Sequence, residues 1–462
     1  MEKFKHIDCN IELQKLYFNS QETKNVDFRI KQLDILKKAI IESEKDILNA
    51  LRSDLNKSEF ETYETEIGVI ISEISYARKM LKRWNKCKKV KPSLISFGSK
   101  TYIYNQPYGV CLVIAPWNYP FQLSMSPLIG SIIAGNCTII KPSEFAPSTS
   151  SVIAKMIEKY FDKKYISVIE GDLEVNKYIL SREFDYIFFT GSPSVGKLVM
   201  KSASENLIPC TLELGGKSPC IVDSTSDINL SAKKIIWGKL LNAGQTCIAP
   251  DYIIVHKSVK SELIKTMADY IQKFYSKNPI ESDDYTSIVN KKHFERIVHL
   301  INYDKVVFGG GYSEEKLKIE PTIMDNVNMG DLVMREEIFG PLIPIIEYER
   351  EEEIFDIVQK NKNPLALYLF TTNKKFEKRI INSISFGGGC INDTIMHITN
   401  PKAPFGGVGS SGMGSYHGKK SFETFSHQKT VLKSSKLMDM KLKYPPYSKR
   451  GLKLLKKIFS WI

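Results

Sequence analysis

The sequence predicts an α/β protein of two doubly wound domains with a small β arm, and three observations carry that prediction. From Gly109 onward, short apolar runs alternate with longer helical patterns, in two successive series. Such alternation calls for parallel strands joined by crossover helices. Glycine turns such as Thr190-Gly191-Ser192 stand where a strand gives way to a helix, and before Gly109 the chain reads as helices followed by one polar, alternating stretch.

Taken in order, residues 1–87 read as helices: Leu33, Leu36 and Ile40, then Ile67, Ile70, Ile71 and Ile74, recur at three- and four-residue spacing between charged residues. Residues 88–104 turn polar, and Lys100-Thr101-Tyr102-Ile103-Tyr104 alternates as a hairpin arm does. The first α/β series runs as strand 109–115, helix 121–134, strand 138–141, helix 150–161, and strands 166–169 and 186–189. The second runs as strands 218–223 and 252–256, helix 258–275, strand 305–308 ending in three glycines, strand 343–348, helix 351–362 and strand 365–371. The expected division is a first domain of residues 1–87 and 105–211, a second of 212–397, bridging segments at 88–104 and 398–432, and a basic tail at 433–462. Ligands of doubly wound sheets bind at the carboxyl ends of the strands, so two of the motifs below are expected there.

Composition narrows the function. With 462 residues, 42% hydrophobic and 25% charged, the chain has the profile of an ordinary globular protein large enough for two or three domains. A net charge of +13 raises nucleic acid or a membrane surface, but the lysines are spread along the chain and no basic stretch is interleaved with aromatics. No nucleic-acid partner is expected. The eight cysteines are scattered without a Cys-x-x-Cys pair, and the seven histidines are equally dispersed. That argues for free thiols in a reducing compartment and against a metal. The N-terminus is polar and no apolar run reaches the roughly 18 residues of a membrane span, so a cytoplasmic location is expected.

The chemistry centres on Asn242-Ala243-Gly244-Gln245-Thr246-Cys247-Ile248-Ala249-Pro250, which follows a helical run at 227–243. Small neighbours leave room for a substrate at Cys247. A nucleophile there needs a thiol pKa below its free value of about 8.5, whereas the plainer reading is a buried structural cysteine. Asn118, in Ala115-Pro116-Trp117-Asn118-Tyr119-Pro120, either donates its amide to an oxyanion or caps the following helix. Glu213, in Leu212-Glu213-Leu214-Gly215-Gly216-Lys217, is either a buried general base with a raised pKa or half of an ion pair with Lys217. Phe189-Thr190-Gly191-Ser192-Pro193-Ser194-Val195-Gly196-Lys197 offers helix N-terminal amides to an anion, although its spacing is not the Gly-x-Gly-x-x-Gly of dinucleotide sites. Lys141-Pro142-Ser143-Glu144 ends a strand, where it meets a nucleotide ribose or is a solvated turn, and Glu336-Glu337-Ile338-Phe339-Gly340-Pro341 combines acid, aromatic and turn residues.

In this order and with these spellings the motifs resemble the aldehyde dehydrogenase superfamily from about residue 105 to 429. The closing stretch Pro404-Phe405-Gly406-Gly407-Val408-Gly409-Ser410-Ser411-Gly412-Met413-Gly414-Ser415-Tyr416-His417-Gly418 is most similar to the class 3 branch, which includes the fatty aldehyde dehydrogenases. The resemblance implies two Rossmann-like domains with an oligomerisation arm, a homodimer, and NAD or NADP as cofactor. It implies that Cys247 attacks the aldehyde, that Asn118 and the Cys247 amide hold the oxyanion, and that Glu213 activates the water that releases the acid. Lys141 and Glu144 would meet the adenosine ribose, and Glu337 and Phe339 the nicotinamide end. Thr190, Gly191, Ser192 and Gly196 would follow the pyrophosphate, Trp117 would stand with them on the cofactor side, and Tyr119 and Trp237 would line the substrate funnel or sit in the core.

The implied reaction is oxidation of medium- or long-chain aliphatic or aromatic aldehydes. Its rivals are a CoA-acylating enzyme, which has no need of Glu213, and a catalytically silent protein of the same fold at a membrane surface. The terminal run from Lys449 to Ile462 has apolar residues at helical spacing opposite cations. Docking on the protein or its dimer partner is favoured for it over peripheral contact with an anionic membrane.

Overall fold

The computed structural model describes residues 4–93, 96, 98–434 and 441–460; Met1, Glu2 and Lys3 of the polar N-terminus and Trp461 and Ile462 of the terminal run lie outside them. Five runs of the first α/β series, Val110–Ile114, Cys137–Lys141, Ile166–Val168, Tyr186–Thr190 and Cys210–Glu213, are almost wholly buried and pair in parallel. Their spatial order is Cys210–Glu213, Tyr186–Thr190, Val110–Ile114, Cys137–Lys141, Ile166–Val168. The order therefore reverses between Val110–Ile114 and Tyr186–Thr190, which opens a crevice at the carboxyl ends of that pair. The N-terminal helices bury Ile7, Leu33, Leu36, Ile70 and Ile74 in the same core as Leu112, Ile139 and Ile187. The first 87 residues thus cover this sheet.

The second sheet runs Val306–Phe308, Thr322–Met324, Leu342–Tyr348, Tyr252–His256, Pro219–Val222, Ala366–Phe370, Gly388–Ile391. All pairs are parallel except the edge pair Val306–Phe308 with Thr322–Met324. Three of these strands escape the sequence reading. Cys210–Glu213 carries a charged residue in a four-residue run, Thr322–Met324 is only three residues long, and the glycines of Gly388–Ile391 have low strand propensity. The core of this half is separate, built on Ile221, Ile254, Ile345 and Leu367.

The arm is a three-stranded antiparallel sheet. Lys100–Pro107 lies between Lys88–Val90 and Ser426–Lys433 and extends past the expected boundary at 104. Its long partner comes from the far end of the chain, in register from Lys100 opposite Lys433 to Pro107 opposite Ser426. Beyond it, the helix Lys449–Phe459 buries no side chain, and Leu452, Leu454 and Phe459 are exposed. Among the described residues no helix is long and apolar enough to cross a membrane.

Candidate active site

A cavity of about 840 Å³ collects Trp117, Asn118, Thr190, Gly191, Ser192, Glu213, Cys247, Glu337 and Phe339 on its walls. The two sheets reach it in opposite senses. Trp117 and Asn118 follow the strand Val110–Ile114, Thr190 ends Tyr186–Thr190, and Glu213 ends Cys210–Glu213. Cys247 and Glu337, by contrast, precede Tyr252–His256 and Leu342–Tyr348. The expectation of carboxyl-end binding thus holds for the first sheet, while the second contributes loops that enter its strands.

The cysteine loop begins where the helix Ile228–Leu240 stops. Asn242, Ala243 and Gly244 follow with φ of 53°, 52° and 79°, three left-handed residues in succession. For an alanine this conformation costs on the order of 1–2 kcal/mol. At Gly244 a Cβ would stand 2.3 Å from the Gly340 carbonyl oxygen, so no other residue fits. Side chains hold the turn: Asn242 Nδ2 donates to the Asn118 and Gln245 carbonyls at 2.8 and 3.1 Å, and Val289 N donates to Gln245 Oε1 at 3.0 Å. Asn118 Nδ2 donates to the Gln245 carbonyl at 3.0 Å. The next helix starts only at Gln122 with no side-chain cap, which disposes of the capping role for Asn118.

Burial raises the Cys247 thiol well above its ordinary value, and the carboxylates of Glu337 and Glu213 push in the same direction against the Cys247 and Ile248 amides. The protein's own groups thus favour the thiol, opposite to the lowered pKa expected from the sequence. Burial likewise lifts Glu213 far above the usual carboxylate range, and neither of its oxygens meets a hydrogen-bond donor of the protein. Lys217 is not its partner. That lysine is buried against Asp251 at 2.5 Å and donates to the Val333 and Glu336 carbonyls, both at 2.9 Å. Asp251 in turn accepts from Ile338 N at 3.0 Å, so the pair grips both neighbours of Glu337. Arg296 donates to the Glu337 and Ile338 carbonyls from the other side, and burial lifts Glu337 to about 8.

A dinucleotide fits the remaining wall. Ser192 caps the helix Pro193–Glu205 and accepts from Val195 N, and the Ser194 amide at that positive helix end is left for a diphosphate. Thr190 Oγ1 is buried without a partner beside it, and Phe339 stands edge-on to Trp117 at 5.3 Å between centroids.

Five residues expected in the site are not on the wall. Gly196 brings its helix against Leu214, whose Cδ2 would lie 2.7 Å from a Cβ there, so it serves packing rather than the diphosphate path. Tyr119 is buried, bonded to Thr246 Oγ1 at 2.7 Å, and Trp237 packs on the second core. Neither side chain lines the cavity. Lys141 and Glu144 lie one strand further along, 3.6 Å apart, with Glu144 also bonded to Asn176. Sequence reasoning paired Lys217 with the wrong carboxylate and missed Asp251, His293 and Arg296. His293 and Arg296 lie three apart on the amphipathic helix Lys291–His299, a spacing that could have flagged them; the Lys217–Asp251 pair has no local signature.

Comparison with known proteins gives the family. The aldehyde dehydrogenase family model matches residues 5–431, so the likeness includes the N-terminal helices as well as the stretch from 105. A 4,4'-diaponeurosporen-aldehyde dehydrogenase of Staphylococcus aureus is 50% identical over 96% of this chain and 97% of its own. Aldehyde dehydrogenase family 3 member A2 of Macaca fascicularis is 45% identical over 93% of this chain and 89% of its own. A substrate-bound Staphylococcus aureus AldH structure superposes with a TM-score of 0.96 at 49% identity, covering 98% of this chain and 99% of its own. With the fold, the site and full-length relatives in accord, this chain belongs to the aldehyde dehydrogenase family, oxidoreductases that oxidise aldehydes with NAD or NADP.

Proposed function

We infer that the chain converts medium- or long-chain aliphatic or aromatic aldehydes to carboxylic acids through a thioester on Cys247. The observation that carries this is the convergence of Cys247, Asn118 and an unpartnered, buried Glu213 on one cavity. Cys247 gives its thiol proton to solvent water, the resulting thiolate adds to the carbonyl carbon, and the oxyanion of the thiohemiacetal is held by the Asn118 amide and the Cys247 N–H. NAD or NADP, when bound, supplies the hydride acceptor. Loss of hydride leaves a thioester; Glu213 takes a proton from water as its oxygen attacks the acyl carbon, and the acid departs from the regenerated thiol. Glu337 and Phe339 orient the nicotinamide end, Thr190, Gly191 and Ser192 the diphosphate, and Lys141 and Glu144 the adenosine ribose.

Trp117, Leu123, Phe405 and Tyr416 give the cavity apolar walls, which suits an apolar aldehyde. The 50%-identical relative named for 4,4'-diaponeurosporen-aldehyde supports the same class. The arm supports a homodimer: Ser426–Lys433 is an edge strand with Val431 and Leu432 exposed, an open template for a second copy. The five cations of Lys449–Phe459 opposite exposed Leu452, Leu454 and Phe459 suit peripheral contact with anionic lipid, and the eight unpaired cysteines suit the cytoplasm.

The test is NADH and NADPH formation with short aliphatic, long aliphatic and aromatic aldehydes, without CoA, beside Cys247→Ala. Turnover with the long or aromatic substrates that vanishes in the variant supports the reading. Turnover only with CoA, or retained by Cys247→Ala, sinks it. Flotation with anionic vesicles, with and without residues 441–462, tests the tail.

A further inference from the structure

The N-terminal helices do more than cover the first sheet. They carry three buried ionisable side chains beneath the segments that bear Asn118 and Cys247. Lys57 Nζ lies 2.6 Å from Glu66 Oε1, both side chains fully buried. Glu66 Oε2 accepts from the Phe121 and Gln122 amides at 3.0 and 3.2 Å, so the pair holds the start of the helix that follows Asn118. Lys57 Nζ also stands 3.5 Å from the Asn118 carbonyl and 4.3 Å from the centre of the Tyr119 ring. The third group, Glu61, faces the other segment: its Oε1 accepts from Asn242 N at 2.8 Å, and its Oε2 from Thr286 Oγ1 at 3.3 Å.

Asn242 is the first of the three left-handed residues before Cys247, and its side chain donates to the Asn118 carbonyl at 2.8 Å. One amide therefore ties the cysteine turn to Glu61, and one side-chain amide ties the turn to the asparagine segment. A helical run that ended elsewhere would leave the Asn242 N–H without this acceptor. The π turn Tyr63–Ile67, which follows Glu61 and contains Glu66, sets the spacing with which one short segment reaches both loops.

We propose that Glu61 is a positioning residue for the reaction: by accepting the Asn242 N–H it fixes the left-handed turn that aims Cys247, while Lys57 and Glu66 fix the Asn118 segment opposite. The proposal rests on the reading of Cys247 as nucleophile and goes beyond it in assigning the aim of that thiol to the N-terminal helices.

Two substitutions in the full-length enzyme separate hydrogen bond from charge. Glu61→Gln keeps an oxygen in reach of Asn242 N without the charge; Glu61→Asp keeps the charge and withdraws the oxygen by about one bond length. Glu61→Gln should retain kcat within about 3-fold. Glu61→Asp should lose about 100-fold in kcat, the cost of a misaimed reacting group, with KM for aldehyde and nucleotide within about 3-fold. Amide exchange without cofactor or substrate should quicken in the peptide 241–247 of Glu61→Asp alone. Wild-type kcat in Glu61→Asp, or equal loss in both variants, overturns the proposal. Turnover by Cys247→Ala in the same assay would instead remove the nucleophile reading, while the exchange contrast would still report whether Glu61 holds the turn.

Discussion

The two sheets supply one cavity by different means. The first offers it carboxyl ends: Thr190 with a helix N-terminus behind it, and Trp117 and Asn118 on a turn between strand and helix that the Lys57–Glu66 pair holds. Most of what it offers is backbone. The second offers amino ends, where Cys247 and Glu337 sit on irregular loops whose shapes depend on buried side chains such as Lys217, Asp251 and Arg296. A parallel sheet aims its dipolar helix ends at ligands on the carboxyl side without help, whereas loops on the amino side need dedicated clamps. Single substitutions should therefore be severe in and around the second half and mild on the nucleotide side of the first.

The largest effect is expected at Glu213, where the halves meet. Glu213→Gln should lower kcat about 10²- to 10⁴-fold while leaving a first-turnover burst of reduced nucleotide, because the thioester still forms. Rapid-mixing absorbance shows the burst; its loss would put Glu213 earlier in the sequence of steps. Next comes the clamp. Lys217→Met leaves Asp251 buried without its cation, which costs about 3–5 kcal/mol for a pair broken on one side, and frees the Val333 and Glu336 carbonyls that lead into Glu337. Urea unfolding should register the loss, and KM for nucleotide should rise about 10-fold. Adding Asp251→Leu should recover stability but not KM, since the Ile338 N–H then loses its acceptor as well.

The same contrast decides what could be read in the sequence. Strands of the two sheets are legible because burial on both faces writes a continuous apolar run, as in Val110–Ile114 and Tyr252–His256. Cys247, Asn118 and Glu213 are legible through their small or apolar neighbours and, above all, a family spelling. Lys217 and Asp251 are 34 positions apart and touch only because two strands lie side by side; nothing local marks them. Glu61 looks like one more acid on a helix, and only the fold brings it to Asn242. Tyr119 and Trp237 mislead for the opposite reason, since an aromatic near a motif serves core and funnel with the same spelling. The direction in which a loop meets its sheet is equally silent, which is why carboxyl-end binding could be expected for both domains.

A pH experiment sharpens the comparison at an intermediate scale. Glu337 raises the Cys247 pKa, second only to burial, and itself ionises at about 8. Above pH 8 its charge opposes the thiolate; below pH 7 it is mostly protonated and opposes little. In nucleotide-free enzyme, Glu337→Gln should therefore speed alkylation of Cys247 by iodoacetamide about 3- to 10-fold at pH 9 and scarcely at pH 6.5. Turnover should move the other way, because the ribose loses its carboxylate. Alkylation and turnover rising together would mean that Glu337 acts on the thiol alone.

The smallest effect is expected on the nucleotide side of the first half. Ser192 Oγ accepts from Val195 N at 3.4 Å, a long bond, and pairs with Ser194 Oγ at 3.0 Å. Ser192→Ala removes that cap at a cost of about 0.5–1 kcal/mol, while Pro193 still begins the helix with a preset φ and the first-turn amides stay in place. KM for nucleotide should rise only about 2- to 5-fold, with kcat unchanged, since a cap stabilises the amides that meet the diphosphate without being one of them. A loss as large as that of Lys217→Met would mean that the nucleotide side of the first half also depends on a side-chain clamp, and the distinction between backbone-built and side-chain-built walls would fall.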